Sequence, residues 1–132
     1  MEKIILILTA LGIFATPQAE EIKTLVLTHE QETWISALEW CESRGKSTAL
    51  NPKDKDGTPS YSNFQWKPPT LLYYGKLYEL IPEEKTLKDV PELLKDYELQ
   101  RNILRNMVLD KEVKWSQQFP DCTKRFVGLP PK

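Results

Sequence analysis

The chain has 132 residues and a formal net charge of −1, with 18 basic residues against 19 acidic ones. This balance shows no excess of basic residues of the kind on which sequence-independent nucleic-acid binding depends, and no long run of one charge occurs, so we expect no nucleic-acid partner. Hydrophobic residues make up 40% of the chain and charged residues 28%, a composition typical of a soluble globular domain and not of a disordered segment.

The N-terminal residues differ in character from the rest of the chain. An apolar run extends from Ile4 to Ala15, and small and polar residues follow it as far as Ala19. This run is shorter than the ~20 apolar residues that a membrane-spanning helix needs, and it is typical of a secretory signal peptide. We therefore predict a signal peptide over residues 1–19 and one domain over residues 20–132, with no stable membrane span after processing. A short membrane anchor and a buried first helix are the alternatives.

The predicted export of the protein bears on whether its two cysteines, Cys41 and Cys122, form a disulfide. In an oxidising compartment an even number of cysteines favours a disulfide, and two buried thiols are the alternative. The bond would close a loop of about 80 residues, which the chain-entropy model values at about 4–5 kcal/mol. It would also join the residue beside Glu42 to the end of the chain. Two cysteines and a single histidine cannot build a Cys/His zinc site, and no metal is predicted.

The first predicted element is a helix from Glu30 to Ser43. Thr28 and Gln31 have the spacing of a capping box, in which the hydroxyl and the amide each accept a hydrogen bond from a backbone N–H. Apolar residues then recur at three- and four-residue steps, which indicates one buried face: Trp34, Ile35, Leu38 and Cys41. Glu42 falls near the C-terminal end of this helix, which Gly45 can terminate.

The middle of the chain is rich in turn signals. Residues 51–61 are predicted to form a loop or a hairpin, because Asp56-Gly57 is a strong tight-turn pair. A second helix is predicted, in which the prolines at positions 68 and 69 can occupy the first turn and residues 70–80 follow. The acidic, proline-containing stretch 81–91 is predicted to be a solvated connection with one short turn.

A strongly amphipathic helix is predicted from Asp96 to Leu109. Its apolar side consists of Leu99, Ile103, Leu104, Met107 and Val108, and its polar side carries Arg101, Asn102 and Arg105. A short helical segment over residues 112–118 follows, with Trp115 facing inward. The tail after it is predicted to be irregular. The predicted fold class is therefore mainly α (α+β), with several helices and a small hairpin or loop after the first one.

Glu42 is the candidate catalytic residue. It follows Trp40 and Cys41 on a helix whose other face is buried, so its carboxyl group can be partly withdrawn from water. Desolvation raises the pKa of a carboxyl group and allows it to donate a proton near neutral pH. The alternative is an exposed glutamate at a helix end, where the helix dipole slightly disfavours a negative charge.

Short polar side chains follow Glu42 on the turn-rich segment, and Tyr61, Phe64 and Trp66 alternate with some of them. Aromatic faces together with amide and carboxylate groups suit a sugar ligand, whereas turn formation and core packing are the alternative roles. A calcium loop around Asp54 is disfavoured because Pro52 would occupy its first ligand position. A nucleophilic triad would have to use the single histidine, which lies in the predicted capping box.

Several short motifs carry a family resemblance: Glu42-Ser43, Asn51-Pro52, Phe64-Gln65, Pro68 and Thr70, with the polar turn between them. Together they resemble the catalytic region of the lysozyme-like superfamily. The chain is more similar to the soluble lytic transglycosylase and goose-type lysozyme branch, and in particular to small secreted bacterial proteins assigned to it. Residues 115–122 and the late Gly-Leu-Pro-Pro are similar to the C-terminal stretch of those proteins. The resemblance implies a lysozyme-like helical domain in a protein that is secreted or resides in the cell envelope.

This resemblance implies cleavage of the β-1,4 bond between N-acetylmuramic acid and N-acetylglucosamine in peptidoglycan, with Glu42 as the general acid and base. The predicted substrate-binding residues are Ser43 and Gln65, which match family positions, together with Asp56, Ser60, Tyr61 and Asn63 of the polar and aromatic loop. In a transglycosylase Glu42 would also take a proton from the muramoyl 6-hydroxyl group. In a hydrolase a second acid would position water, and Asp54 and Asp56 are the available choices.

We expect peptidoglycan strands as the partner, no cofactor and a monomeric protein. The chain departs from the family pattern at two positions. It has Ser62 where the family usually has glycine, and Asn63 where an aliphatic residue is usual. A side chain at Ser62 would narrow the groove or demand a different backbone angle. The alternative function is a catalytically inactive secreted module that binds the cell wall or another partner.

Overall fold

The computed structural model describes residues 25–54 and 56–132, so the predicted signal peptide lies outside the described residues. The helices are α1 (His29–Ser43), α2 (Pro68–Leu77), α3 (Val90–Leu93), α4 (Tyr97–Leu109), α5 (Trp115–Gln118) and α6 (Pro120–Cys122). A 3-10 turn (Leu87–Asp89) precedes α3, and a π-helical turn (Thr123–Val127) follows α6. Strands β1 (Leu50–Asn51) and β2 (Ser60–Tyr61) form one antiparallel pair. The predicted fold class, mainly α with a small β-hairpin, is confirmed.

Helix α1 begins at the predicted capping box. The Thr28 hydroxyl accepts a hydrogen bond from the Gln31 N–H at 3.1 Å, and the Gln31 side chain accepts one from the Thr28 N–H at 2.8 Å. These two bonds satisfy backbone donors that the helix itself leaves unpaired. The helix ends at Ser43, and Arg44 forms the C-cap in the left-handed conformation with φ 59°. This end fixes the position of Glu42 in the last turn.

The hairpin is short and tightly held. Leu50 pairs with Tyr61 and Asn51 with Ser60 in antiparallel register. The chain then turns back on itself, because Tyr61 and Trp66 exchange backbone hydrogen bonds of 3.0 and 2.8 Å. This second turn brings residues 62–66 against the C-terminal end of α1.

The core lies between α1, α2, α4 and the C-terminal turns. Its fully buried apolar side chains are Ile35, Leu38, Phe64, Leu71, Ile103, Leu104 and Met107. Trp34 and Trp115 meet edge to face with ring centroids 4.9 Å apart, which confirms that Trp115 faces inward. Burial of these side chains is the main favourable contribution to folding.

Helix α4 follows the prediction closely at its ends and at most of its buried positions. The Asp96 side chain caps it by accepting a hydrogen bond from the Leu99 N–H at 3.0 Å. Gln100 is also fully buried, which the apolar pattern does not indicate. Its amide is satisfied there, because it donates to the Ser62 hydroxyl at 3.1 Å and accepts from the Trp66 indole N–H at 3.2 Å.

The Cys41–Cys122 disulfide is present, as predicted, and it joins the last turn of α1 to α6. The connection between α2 and α3 is mostly exposed, but Ile81 and Val90 pack into the core at its two ends. Over residues 25–54 and 56–132, no helix has both the length and the apolar character that crossing a membrane requires.

Candidate functional site

Glu42 lies at the wall of a cavity of about 300 Å³ between the end of α1, the hairpin, the start of α2 and the α5–α6 corner. The last turn of α1 supplies the glutamate, and the turn after β2 supplies Gln65 and Trp66. The residues that line the cavity are Glu42, Asp54, Asp56, Gln65, Trp66, Lys67, Thr70, Gln117, Gln118, Phe119, Pro120 and Asp121. The predicted catalytic residue therefore faces a concave and largely polar site.

The carboxyl group of Glu42 is half-buried, and its pKa is raised from the ordinary value of 4.5 to about 8. Burial is the largest cause of this increase, and the negative charges of Asp54 and then Asp121 contribute the rest, because each disfavours a second negative charge nearby. A carboxyl group with this pKa is mostly protonated at neutral pH. A group in this state has a proton to donate.

Asp121 reaches this site through the disulfide. It directly precedes Cys122, which is bonded to Cys41, and Glu42 directly follows Cys41. The two acids therefore line the same cavity although they are far apart in the chain. Sequence reasoning missed Asp121, yet the predicted disulfide contains the signal that could have found it, because the residues flanking the two cysteines have to be neighbours.

The loop acids Asp54 and Asp56 are held by Lys67. The Lys67 ammonium lies 2.9 Å from Asp56 Oδ1 and 3.4 Å from Asp54 Oδ2, and it donates to the Thr58 carbonyl at 2.6 Å. The hydroxyl and the backbone N–H of Thr58 also donate to Asp56. These hydrogen bonds from Thr58, and then that from Lys67, hold the pKa of Asp56 well below its ordinary range. Asp56 is therefore a permanently ionised, exposed carboxylate at the rim of the cavity.

Asp54 is the more enclosed of the two loop acids. It is half-buried, and it accepts a hydrogen bond of 2.8 Å from the hydroxyl of Ser60, which is fully buried. Its charge is the largest electrostatic cause of the raised pKa of Glu42. The structure thus brings Asp54 into direct electrostatic contact with Glu42 and gives Ser60 the role of holding Asp54.

Gln65 lines the cavity beside Glu42. Its backbone adopts the left-handed conformation with φ 54°. Its side-chain nitrogen donates to the carbonyls of Ser62 and Ala49 at 2.9 and 3.1 Å. These two bonds fix the orientation of the amide and tie the turn after β2 to β1.

The structure places Ser43 and Asn63 inside the protein, outside the lining of the Glu42 cavity. The Ser43 hydroxyl donates to the Asn63 carbonyl at 2.6 Å and accepts from the Gly45 N–H at 3.1 Å. The Asn63 amide donates to Glu39 at 2.9 Å. Both residues hold the hairpin turn against α1, which positions the cavity wall.

Ser62 keeps a backbone angle that suits glycine, with φ 72°. Its side chain is buried, where the hydroxyl accepts from Gln100 and donates to the Asn63 side chain, each at 3.1 Å. The side chain does not line the Glu42 cavity. A side chain at this position was expected either to narrow the groove or to demand a different backbone angle. The structure shows the unusual backbone angle, and the cavity beside Glu42 is not narrowed by Ser62.

Tyr61 lines a second cavity, of about 670 Å³, that adjoins the first. The two share Asp56, Lys67 and Thr70 and together form one trough. The remaining walls of the second cavity are mostly apolar: Pro59, Tyr61, Pro68, Pro69, Leu87, Val90, Pro91 and Leu94. The trough therefore continues beyond Glu42 on the side of Lys67 and Thr70.

Comparison of the chain with protein-family models, with curated proteins and with solved structures finds no match in any of the three. Over the described ranges, no group of three or more histidine, cysteine or acidic side chains is arranged to hold a metal ion. The chemistry that these residues can perform is proton transfer, by the protonated carboxyl group of Glu42 beside three aspartate side chains.

Proposed function

We propose that the chain cleaves the β-1,4 glycosidic bond between N-acetylmuramic acid and N-acetylglucosamine in peptidoglycan. The observation that carries this proposal is the carboxyl group of Glu42, which lines a cavity and has a pKa of about 8. A protonated acid next to ionised carboxylates is the arrangement that glycosidases use. The sequence resemblance to the lysozyme-like superfamily supports the choice of substrate.

Glu42 gives its proton to the glycosidic oxygen while the bond from that oxygen to the sugar C1 breaks. The sugar then carries positive charge as an oxocarbenium-like state. The carboxylates of Asp54 and Asp121 favour this charge electrostatically, because both lie at the same cavity. The departing sugar keeps the proton and leaves Glu42 ionised.

Asp54 is our choice for the carboxylate that orients the attacking water. Both loop acids contact Lys67, but Asp54 is half-buried and its charge acts on Glu42, whereas Asp56 is exposed and also accepts two hydrogen bonds from Thr58. In this reaction water attacks C1, and Asp54 accepts the proton that the water releases. Attack by the muramoyl 6-hydroxyl group, with ionised Glu42 as the base, is the alternative route to the same bond cleavage.

The amides of Gln117 and Gln118 and the amide oxygen of Gln65 supply hydrogen-bond partners for sugar hydroxyl and acetamido groups, because all three residues line the cavity. The adjoining apolar part of the trough offers room for the rest of the strand. We place the protein outside the cytoplasm, secreted or in the cell envelope, and the Cys41–Cys122 disulfide supports this location.

The experiment that tests this proposal treats purified peptidoglycan with the wild-type chain, with Glu42→Gln and with Glu83→Gln. Glu83 is exposed and lies outside the cavity, so its variant is the matched control. We expect the Glu42→Gln variant to release soluble fragments at least about 100-fold more slowly, since general acid catalysis contributes this much. The proposal fails if the wild type and Glu42→Gln release the same negligible amount.

Mass spectrometry of the fragments distinguishes the two routes. Reducing ends indicate attack by water, and anhydro ends, which are lighter by one water, indicate attack by the 6-hydroxyl group. An Asp54→Asn variant should lose activity in both cases, because Asp54 favours the positive charge on the sugar, but the loss should be much larger in the first case, where Asp54 also accepts the proton of the water. If neither the wild type nor Glu42→Gln cuts the wall but both are retained on it, the chain is a wall-binding module instead.

A further inference from the structure

A separate cleft, of about 310 Å³, lies between α1 and the π-helical turn. Its walls are Ala37, Trp40, Cys41, Arg44, Phe126 and Val127. Successive residues of an α-helix are rotated by about 100°, so Trp40, two residues before Glu42, projects from the opposite side of α1. The cleft therefore faces away from the Glu42 cavity, and none of its lining residues belongs to that cavity.

Two aromatic side chains stand exposed at this cleft. Trp40 is 62% exposed and Phe126 is 73% exposed, whereas the other three tryptophans, Trp34, Trp66 and Trp115, are all buried. The disulfide holds the pair in place, because Trp40 directly precedes Cys41 and Phe126 lies four residues after Cys122. Neighbouring exposed aromatic side chains on a rigid scaffold mark a contact surface.

Basic residues lie in the lining of this cleft and next to it in the chain. The Arg44 guanidinium lies 5.4 Å from the centroid of the Trp40 ring, and it donates to the Trp40 carbonyl at 2.8 Å. Lys124 and Arg125 are exposed on the same turn as Phe126. As far as the chain is described, no residue lining the cleft carries a carboxylate, whereas the Glu42 cavity has four such residues.

We propose that this face docks on an anionic lipid bilayer. Trp40 and Phe126 would enter the interfacial region of the bilayer, and Arg44, Lys124 and Arg125 would contact the phosphate groups of the lipids. Aromatic rings with one apolar side favour the level of the lipid headgroups, and cations near an anionic surface are attracted to it. The proposal does not depend on the reaction at Glu42.

Two other occupants fit this face less well. A glycan needs several amide or carboxylate partners, whereas the described lining of the cleft contains no amide or carboxylate side chain and one charged residue, Arg44. A second copy bound through the same face would bring its own Arg44, Lys124 and Arg125 against these cations, and like charges repel. A bilayer of anionic lipid can contact both the exposed aromatic side chains and the basic residues of this face.

Trp40 allows a residue-specific test with the full chain, because it is the exposed tryptophan. The protein is mixed with vesicles of equal parts phosphatidylglycerol and phosphatidylcholine whose acyl chains are brominated, and tryptophan fluorescence is recorded. We expect quenching and a blue shift for the wild type, and loss of most of this quenching for Trp40→Phe. Binding through the apolar N-terminal segment alone would bring the chain to the vesicle without quenching Trp40, which would overturn the proposal.

The cationic part is tested with Lys124→Glu/Arg125→Glu. We expect at least about tenfold weaker partitioning into these vesicles, since each cation near an anionic surface contributes to binding. Lys88→Glu/Lys111→Glu carries the same change of charge at exposed positions elsewhere and should bind like the wild type. Equal binding by the two double variants, or equal binding of the wild type to vesicles of phosphatidylcholine alone, would refute the proposal.

Discussion

Glu42 and Asp121 line the same cavity because the disulfide joins the residues next to them. The charge of Asp121 is one cause of the raised pKa of Glu42, after burial and the charge of Asp54. The same disulfide positions Trp40 and Phe126 on the other side of α1. One covalent bond therefore fixes both the candidate acid and the aromatic face.

The activity of the protein should decrease above pH 8 or so, because Glu42 must carry its proton to act as the general acid and its pKa is about 8. Removing the charge of Asp121 should lower that pKa, since a nearby negative charge favours the protonated form. We therefore expect the alkaline limb of kcat/KM against pH to move to lower pH in Asp121→Asn. Rates of peptidoglycan solubilisation across the pH range measure this limb.

The control for this shift is Glu83→Gln, which removes an exposed acid outside the cavity. Its alkaline limb should coincide with that of the wild type. An Asp121→Asn profile that also coincides with the wild type would show that Asp121 does not act on the group that titrates.

Glu42 should lower the stability of the folded protein at high pH. Its folded pKa, about 8, lies above its ordinary value of 4.5, so ionisation is harder in the folded than in the unfolded state. The stability contributed by this group is complete below pH 4.5, decreases as the pH rises toward 8, and stays low above that. Glu42→Gln removes this loss, because glutamine does not ionise.

We therefore expect Glu42→Gln to be more stable than the wild type at alkaline pH by about 2–4 kcal/mol, less than the whole shift implies because Glu42 keeps part of its solvent contact. The difference should be much smaller in acid. Urea unfolding of both proteins on either side of this pH range measures it. A stability difference that does not change with pH would contradict the raised pKa.

The local part of this structure could be predicted from the sequence. The capping box of Thr28 and Gln31 begins α1, and Asp96 caps α4 at the predicted position. Each of these signals involves only residues that are close together in the chain, so it can be recognised without knowledge of the rest of the fold. The disulfide could be predicted because the chain has only two cysteines.

The parts that depend on distant contacts could not be predicted. Gln100 is buried because Ser62 and Trp66, from the hairpin turn, satisfy its amide. Ser43 and Asn63 were expected at the substrate, but the structure uses them to join the hairpin turn to α1. A polar residue on a loop has the same sequence signature in both roles, and only the packed structure shows which groups it meets.

Removing the disulfide should weaken both the fold and the site. In Cys41→Ser/Cys122→Ser the unfolded chain regains the freedom of a loop whose ends are 81 residues apart. We expect the free energy of unfolding to decrease by about 4–5 kcal/mol, the value of the chain-entropy model. Urea unfolding of this variant and of the wild type, with and without reductant, measures the loss.

Reduction of the wild type is the control for this variant, because it should reproduce the same loss. Reductant should leave the double variant unchanged. A double variant as stable as the oxidised wild type would show that other contacts hold α6 against α1.

The final prediction concerns Ser62, whose φ of 72° is unusual for a residue with a side chain. Ser62→Ala and Ser62→Gly both remove the hydroxyl group that bonds to Gln100 and Asn63, a loss of about 1–3 kcal/mol. Glycine also relieves the left-handed strain, which is worth about 1 kcal/mol. We therefore expect Ser62→Gly to be the more stable of the two variants in urea unfolding.

Ser116 provides the matched control, because it is exposed in the right-handed helix α5. There the order should reverse, with Ser116→Ala more stable than Ser116→Gly by up to about 1 kcal/mol, since glycine disfavours a helix. If alanine were the more stable residue at both positions, Ser62 would not adopt the left-handed conformation, and the turn that carries Gln65 and Trp66 to the cavity would have a different shape.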